Sequence, residues 1–453
     1  MEHSAYLSTT NACKLCKPLG ACLAFRGIEG AVPMLHGSQG CATYMRRYII
    51  SHFREPMDIA SSSLGEKHAV YGGGPNLKQG LQNVMTKFGA KVIGIATTCL
   101  TETIGDDVAM IVREFRREMR DSGLGELPTL VTVSTPSYSG THTEGFHAAV
   151  RAMVEQVSTG DNSTRMLNLL PGFLSPADLR YLKEIMDDFR YPSVILPDFS
   201  MTLDGPALTD YEKVPHGGTA VEDIRRMGGA AATFEFGRTL PESETAGNFL
   251  DKSFGVRLHR MGTPMGIRET DIFFDLLEEL SGVVRPDKYA LERGRLVDAY
   301  VDGHKYLFGK RAIIYGEEDL VVGLTSFLAE VGVVPVLCAS GGRSGRLKSA
   351  IEEVTTGILP QVPAVHEGMD FYRIEELALE LSPDLLIGNS KGHTLARKLG
   401  IPLIRVGFPI HDRFGAQRIL HVGYRGTQSL LDRTVNALIE ANQNNSPVGY
   451  AYM

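Results

Sequence analysis

The sequence has no apolar run close to the roughly 20 residues that a membrane-spanning helix requires. It also has no excess of basic residues. Its formal net charge of −7 gives no electrostatic reason to expect nucleic acid or an anionic membrane surface as a partner. The first residues have neither the basic nor the apolar region of an export signal. We therefore expect a cytoplasmic protein that binds neither membranes nor nucleic acid.

A phosphate-binding loop is also missing. No Gly-x-x-x-x-Gly-Lys-Ser/Thr sequence occurs, so we expect that this chain does not hydrolyse ATP. Residues 72–74 (Gly-Gly-Gly) precede a helical pattern but lack the lysine, and we interpret them as a flexible helix start. Residues 341–345 (Gly-Gly-Arg-Ser-Gly) are typical of a surface loop, with anion binding as the alternative.

The composition is that of a globular protein, with 43% hydrophobic and 22% charged residues. Short apolar runs alternate with amphipathic stretches, which predicts an α/β protein with parallel sheets covered by helices on both faces. In such sheets, ligands bind at the carboxyl ends of the strands. The predicted strands are 91–96, 130–134, 166–170, 193–196, 312–315, 334–338, 384–387 and 403–406. The predicted helices are 76–88, 106–120, 146–157, 176–189, 271–280, 320–331 and 374–381.

The length of 453 residues predicts more than one domain. We predict three: a cluster-binding domain over 1–160, a second domain over 161–308 that ends in a long helical connection, and a third over 309–453. The last twelve residues, 442–453, have no periodicity, and we expect them to wrap a surface or a partner.

Cysteines are few but unevenly placed, since five of the six lie between Cys13 and Cys99. Cys16, Cys41 and Cys99 each stand beside Gly, Pro, Ser or Thr, where strands or tight turns end. Reduced thiolates in a cytosolic chain favour soft metals and iron–sulfur clusters over disulfides. The pattern therefore predicts that these three residues hold part of an iron–sulfur cluster.

Three thiolates are too few for one cubane, which needs four protein ligands. A fourth could come from this chain, with Cys13 and Cys22 as candidates, or a second subunit could complete the cluster. We favour a core position for Cys22 and for Cys338, whereas the spacing leaves the role of Cys13 open.

Eight short motifs agree in order and spacing with a known family. They are residues 16–21, 36–41, 52–56, 97–99, 104–107, 135–137, 407–409 and 423–424. Together they resemble the β-type subunit of nitrogenase component 1. Cys41 lies 25 positions after Cys16, and Cys99 lies 58 positions after Cys41, as in the catalytic β-subunits.

The resemblance implies roles for individual residues. Cys16, Cys41 and Cys99 match three cysteines that ligate an iron–sulfur cluster at the subunit interface, and an α-type partner gives three more. This is a P-type cluster of the 8Fe-7S kind. Ser137 matches a serine whose hydroxyl can ligate an iron of the oxidised cluster, with an ordinary turn serine as the alternative.

The resemblance also implies an assembly. The family has three Rossmann-like domains in each subunit, with the cluster site at the subunit interface, and forms an α2β2 heterotetramer. Electrons arrive one at a time from a separate iron protein that hydrolyses ATP. The cysteine and histidine that anchor the catalytic cofactor belong to the α-type partner. We find no matching pair here and interpret His411 and His421 as structural, so we expect substrate chemistry in another chain.

Three functions fit this resemblance. The leading one is a nitrogenase-like reductase subunit that relays electrons, as in nitrogen fixation or in the methylthio-alkane reductases. The alternative is the N-type subunit of the cofactor-assembly scaffold, with a 4Fe-4S cluster at the interface. The short segment before Cys16 and residues 407–413 and 425–427 resemble the scaffold and the nitrogenase-like reductases. The three retained cysteines favour the relay. The protochlorophyllide or chlorophyllide reductase branch ranks below both.

Overall fold

The computed structural model describes residues 13–123, 126–161, 163–210 and 212–448, and contains three separate sheets. Every strand pair in these sheets is parallel, and helices flank each sheet. The predicted α/β class is therefore confirmed. None of the helices in the described ranges is both long and apolar enough to cross a membrane.

The first sheet has four strands in the order β2-β1-β3-β4. Its three longer strands are fully or largely buried, as expected for a sheet covered on both faces. The strands are β1 (Ala31–His36), β2 (Ala60–Ser61), β3 (Val92–Thr97) and β4 (Thr129–Val133). The helices are α1 (Lys17–Arg26), α2 (Gln39–Phe53), α3 (Glu66–Tyr71), α4 (Gly74–Phe88), α5 (Cys99–Ile104), α6 (Val108–Asp121) and α7 (His142–Val157).

The second sheet also has four strands, in the order β6-β5-β7-β8. The order reverses between β5 and β7, which makes a crevice at the carboxyl ends of these strands. The strands are β5 (Leu167–Leu170), β6 (Ser193–Ile195), β7 (Ala232–Phe236) and β8 (Arg257–Met261). The helices are α8 (Pro176–Asp188), α9 (Val221–Arg226), α10 (Ala246–Phe254), α11 (Gly266–Ser281) and α12 (Asp287–Leu307).

The third sheet has five strands in the order β11-β10-β9-β12-β13, with its reversal between β9 and β12. The strands are β9 (Arg311–Gly316), β10 (Val334–Ser340), β11 (Ala364–His366), β12 (Leu385–Gly388) and β13 (Leu403–Arg405). The helices are α13 (Glu318–Glu330), α14 (Leu347–Thr355), α15 (Phe371–Leu381), α16 (His393–Leu399) and α17 (Gly423–Asn445).

Helix α17 returns from the third sheet to pack against α11 and α12. It continues through Asn445, so the expectation of irregular structure from residue 442 is wrong for residues 442–445. Extending an existing helix costs far less than starting one, which lets the weak helix formers at its end join it. Residues 449–453 of the predicted tail lie outside the described residues.

Helices α1 and α7 approach each other closely because a glycine of each helix lies at their contact. A Cβ on Gly20 would lie 1.6 Å from the carbonyl oxygen of His142, and one on Gly145 would lie 1.8 Å from that of Lys17. No side chain fits at such distances. This contact fixes the start of α1, where Cys16 lies.

Candidate iron–sulfur site

Three of the four predicted site residues follow neighbouring strands of the first sheet. Strands β1, β3 and β4 are adjacent and parallel, so their carboxyl ends meet at one edge. Cys41 follows β1, Cys99 follows β3, and Ser137 follows β4. The strand order therefore brings to one edge residues that are far apart in the sequence.

Cys41 lies in the first turn of α2, which begins at Gln39. Its side chain is half-buried, and the Ser38 hydroxyl lies 3.7 Å from its sulfur. Cys41 therefore lies near the carboxyl end of β1, at the start of a helix.

Cys99 is the first residue of α5 and is also half-buried. The carboxylate of Glu102, one turn further along the helix, accepts hydrogen bonds from the hydroxyls of Thr97 and Ser134. These two bonds connect the ends of β3 and β4. The position of Cys99 is thus set by both strands.

The turn at Ser137 contacts Cys99 and also Lys17, the residue that follows Cys16. Its backbone N–H donates to the sulfur of Cys99 at 3.2 Å. Two residues on, the Ser139 hydroxyl accepts from the ammonium group of Lys17 at 3.1 Å, next to Cys16 in the chain. The structure therefore brings Ser137 to Cys99 and places the start of α1 beside the same turn.

Cys16 precedes the first residue of α1, and its side chain is half-buried. The neighbouring Leu15 is held by His142: its N–H donates to the imidazole at 3.3 Å, and its carbonyl accepts from the N–H of His142. The other imidazole nitrogen lies 3.0 Å from a carboxylate oxygen of Glu317, the residue after β9 in the third sheet. Sequence patterns gave no signal for this positioning role of His142.

A second hydrogen-bond network lies at the carboxyl end of β1. The sequence analysis did not predict it either. His36, the last residue of β1, lies 3.0 Å from Asp106 and 2.9 Å from the Ser62 hydroxyl through its two ring nitrogens. Burial lowers the pKa of His36. Asp106 also accepts from the N–H of Gly73, and a Cβ on Gly73 would lie 2.7 Å from Asp106. The glycine triplet is therefore a close-packed helix start and not a phosphate loop.

The remaining three cysteines are buried core residues. Burial raises the pKa of both Cys13 and Cys338 to about 12, and it also raises that of Cys22. A thiol that stays protonated is a poor metal ligand. This confirms the expected core positions of Cys22 and Cys338, and it favours the same role for Cys13.

The donor set is compatible with an iron–sulfur cluster. Within the described ranges, no three His, Cys, Asp or Glu side chains lie close enough together to hold one metal ion. All six cysteines are free, and the three predicted ligands are the three that are not buried. Iron–sulfur clusters place several atoms between their thiolate ligands. Half-buried, unpaired thiols at one sheet edge are compatible with that chemistry.

Exposed aromatic rings occur on or beside the elements that carry Cys41, Cys99 and Ser137. Tyr44 lies on α2, Tyr138 follows Ser137, and Tyr71 ends α3, which packs against α5. Tyr71 is 86% exposed and Tyr138 is 69% exposed. Exposed aromatic side chains are enriched at protein–protein interfaces.

Comparisons with known proteins agree with the site. The family described as "Nitrogenase component 1 type Oxidoreductase" matches residues 16–439. The nitrogenase molybdenum–iron protein β chain of Clostridium pasteurianum is 34% identical, covering 95% of this chain and 93% of the relative. The β chain of Methanothermobacter thermautotrophicus is 36% identical, covering 97% and 96%.

Solved structures give the same result. A chain of the structure described as "Nitrogenase Cp1 at pH 6.5" superposes with a TM-score of 0.95 at 31% identity, covering 100% of this chain and 98% of that one. A chain of "Nitrogenase Cp1 at pH 5" has a TM-score of 0.69 at 15% identity and shares the fold. The chain therefore belongs to the nitrogenase component 1 type oxidoreductases, as a β-type subunit.

Proposed function

We propose that this protein is the β-type subunit of a nitrogenase-like reductase that holds half of an interface iron–sulfur cluster. Cys16, Cys41 and Cys99 are its three ligands in this proposal, and the cluster is of the P type, with an 8Fe-7S core. An α-type subunit supplies the other ligands in an α2β2 heterotetramer. The cluster passes electrons from an ATP-hydrolysing iron protein to a catalytic cofactor in the α-type subunit.

One observation carries the proposal: the three cysteines that are not buried stand at the starts of α1, α2 and α5. Hydrogen bonds hold two of these starts in place: His142, itself bonded to Glu317, holds the residue before Cys16, and Ser134 bonds to Glu102 in the helix that Cys99 begins. The β-chain relatives are molybdenum–iron proteins by name, which supports iron at this position.

The chain's own residues have separate tasks in this proposal. The three thiolates bind iron, and the backbone N–H of Ser137 holds the sulfur of Cys99. In this proposal the Ser137 hydroxyl would bind an iron of the oxidised cluster. When bound, the cluster supplies reversible electron storage.

We expect the α-type subunit to contact the surface on which the three proposed cysteine ligands lie. Half-buried ligands leave one side of a cluster open, and Tyr44, Tyr71 and Tyr138 are exposed on or beside the elements that carry Cys41, Cys99 and Ser137. An α-type subunit covering this face would bury the rings and complete the ligand set.

The test is anaerobic purification of the complex with its α-type partner, followed by iron analysis and electron paramagnetic resonance. Cys41→Ala is expected to remove the interface-cluster signal while the complex still assembles. The matched control is Cys338→Ala, which removes a buried thiol whose sulfur lies 3.3 Å from the Thr325 hydroxyl. An unchanged signal in Cys41→Ala, or equal loss in Cys338→Ala, would contradict the assignment.

A further inference from the structure

The carboxyl ends of the third sheet hold a segment of this same chain, residues 13–15, which ends directly before Cys16. The strand order of this sheet reverses between β9 and β12, and the crevice at such a reversal is where open α/β sheets bind ligands. The loops that follow β10, β11 and β12 each contact the segment. The crevice of the third sheet therefore carries the part of the chain that leads to a proposed cluster ligand.

Cys13 is the first residue of this segment, and the third sheet fixes its position. Its backbone N–H donates at 3.4 Å to the carbonyl oxygen of Met369, which follows β11. A Cβ on Gly341, directly after β10, would lie 2.3 Å from the carbonyl oxygen of Cys13. The buried Cys13 side chain belongs to the same apolar cluster as Tyr315 and Phe371. Backbone contacts and side-chain packing thus both determine where the segment begins.

The other end of the segment is held through His142. The N–H of Leu15 donates to one imidazole nitrogen at 3.3 Å, and the other nitrogen lies 3.0 Å from Glu317, the residue after β9. Leu15 is itself buried. The segment is therefore connected to the ends of all four strands from β9 to β12 before the chain reaches Cys16.

Lys391 reaches the middle of the segment from the turn after β12. Its ammonium group donates to the carbonyl oxygen of Lys14 at 3.4 Å, two residues before Cys16. The turn is fixed by the third sheet, because the Lys391 N–H donates to the Asn389 side chain at 3.1 Å. The carbonyl oxygen of Asn389 in turn accepts from the Tyr315 hydroxyl at 2.6 Å. The backbone that carries this ammonium group therefore has a defined position.

The charge of Lys391 acts on the cysteine site. The side chain is half-buried, so water screens its charge less than that of an exposed lysine. Burial lowers the pKa of Lys391, whereas the neighbouring charges of Cys13, Glu317 and Cys16 act in the opposite direction. Cys16 is therefore within electrostatic reach of a cation from a distant part of the sequence.

Two other lysines flank Cys16 along the chain. Lys17 donates to the Ser139 hydroxyl at 3.1 Å, and the side chain of Lys14 lines a cavity of about 360 Å³ between the three sheets. Both are close to Cys16 in any conformation of the chain, because they are its near neighbours in the sequence. Lys391 differs from them because only the folded third sheet brings it to the segment.

We propose that Lys391 is a positioning residue of the interface cluster, which holds the segment before Cys16 and raises the reduction potential of the cluster through its charge. A nearby positive charge stabilises the state that has gained an electron, and charge around an iron–sulfur cluster is one of the factors that set its potential. The proposal rests on the electron-relay function proposed above, because it requires that Cys16 ligates the cluster.

Redox titration of the anaerobically purified complex with its α-type partner, followed by electron paramagnetic resonance, tests the proposal. Lys391→Gln removes the charge and keeps a hydrogen-bond donor. At a fixed potential near the wild-type midpoint, we expect its ratio of reduced to oxidised cluster to fall about tenfold, which corresponds to about 59 mV for a one-electron step. Lys391→Arg keeps the charge, so its ratio should stay within about twofold of the wild-type ratio.

The matched control is Lys398→Gln, which removes an exposed charge from α16 and should leave the ratio unchanged. Glu317→Gln removes a negative charge from the same crevice, so it should raise the ratio. Opposite effects of Lys391→Gln and Glu317→Gln indicate an electrostatic cause, since a disturbed segment has no reason to follow the sign of the charge. Iron analysis of each variant establishes that the cluster is present.

The proposal is wrong if Lys391→Gln retains its iron and has the wild-type ratio, or if Lys398→Gln changes the ratio as much. It is also wrong if Lys391→Gln and Glu317→Gln shift the ratio in the same direction. If Lys391→Gln loses its iron, an unchanged ratio in Glu317→Gln overturns the proposal and a raised ratio supports it. A wild-type complex without an interface-cluster signal would instead overturn the electron-relay function itself, so the two failures are distinguishable.

Discussion

At the scale of single residues, exposure divides the six cysteines into two groups of three. Cys16, Cys41 and Cys99 are half-buried, whereas Cys13, Cys22 and Cys338 are buried and have raised pKa values. Thiol reactivity and metal binding follow the thiolate, so this division separates candidate ligands from core residues. The sequence predicted the same ligands from the turn residues beside them.

Ser137 allows a test at the scale of single residues because its backbone N–H and its hydroxyl have different proposed roles. The N–H contacts the sulfur of Cys99, and the hydroxyl is the proposed iron ligand. Ser137→Ala removes the hydroxyl and keeps the backbone N–H that contacts Cys99. We expect the reduced cluster to keep its signal, whereas the signal of the oxidised cluster changes. Electron paramagnetic resonance during a redox titration measures both states.

Ser139→Ala is the matched control, since it removes a neighbouring hydroxyl that contacts Lys17. Identical oxidised signals in Ser137→Ala and the wild type would mean that Ser137 is an ordinary turn serine.

At the scale of elements, the strands that the sequence predicted are mainly apolar runs. Strand β1 was missed because it contains Pro33, which counts against a central strand. The neighbouring strand β2 has only two residues and pairs with Met34 and Leu35, so Pro33 precedes that pairing. Sequence patterns do not reveal where a neighbouring strand ends, and therefore do not show that Pro33 is tolerated in β1.

Strands β7 and β8 were missed for a different reason, because charged residues interrupt them. Glu235 in β7 is 2% exposed and pairs with Arg260 of β8 at 2.9 Å. A buried carboxylate is acceptable only with such a partner, and the partner lies 25 residues away. His142 and Asp106 were not predicted for the same reason, because their partners are also far away in the sequence. The order of the strands and the packing between the sheets bring these side chains to the cysteine site.

The contact between α1 and α7 gives an element-scale prediction. Gly20→Ala places a methyl group where the carbonyl of His142 lies, so α1 has to move. We expect a loss of roughly 1–3 kcal/mol in the free energy of unfolding, with weaker iron retention because Cys16 moves with α1. Urea unfolding and iron analysis of the complex measure the two effects.

Gly294→Ala is the control within α12, where an added Cβ meets nothing within 4 Å. It should stabilise the protein by up to about 1 kcal/mol through helix propensity. Equal stability of the two variants would contradict the close-packing account.

Asp178 connects α8 to the segment before α17. Its carboxylate accepts from the N–H of His421 at 2.6 Å and of Val422 at 3.1 Å, and it lies 3.0 Å from the His421 ring. Although burial alone would raise the pKa of Asp178, these partners hold it below its usual value. The contact between Asp178 and His421 supports the structural role that the sequence predicted for His421.

The lowered pKa gives a stability prediction with a definite sign. The folded state binds its proton less readily than the unfolded state, so the stabilisation exists above the unfolded pKa of about 3.9 and is lost as the pH falls through the folded value. Asp178→Asn should cost about 3–5 kcal/mol near pH 7, measured by urea unfolding, and this difference should shrink in acid. Asp187→Asn, an exposed control on α8, should change neither quantity. A difference between Asp178→Asn and the wild type that does not depend on pH would contradict this account.

At the scale of the whole molecule, the sequence predicted three sheets with mainly parallel strands and the edge that carries the cysteines. It did not predict that the carboxyl ends of all three sheets enclose one cavity, because this depends on how the sheets face one another. The three predicted ranges each contain the strands of one sheet. Helix α17 then crosses back to α11 and α12, which joins the last range to the second.

The most direct test of the electron-relay account is the iron content and redox behaviour of the anaerobically purified complex with its α-type partner. An 8Fe-7S cluster held by two subunits can change charge in more than one step. The account predicts about eight irons for each interface cluster and at least two successive redox transitions by electron paramagnetic resonance. About four irons, with the single transition of an ordinary cubane, would contradict the relay and favour a cofactor-assembly scaffold.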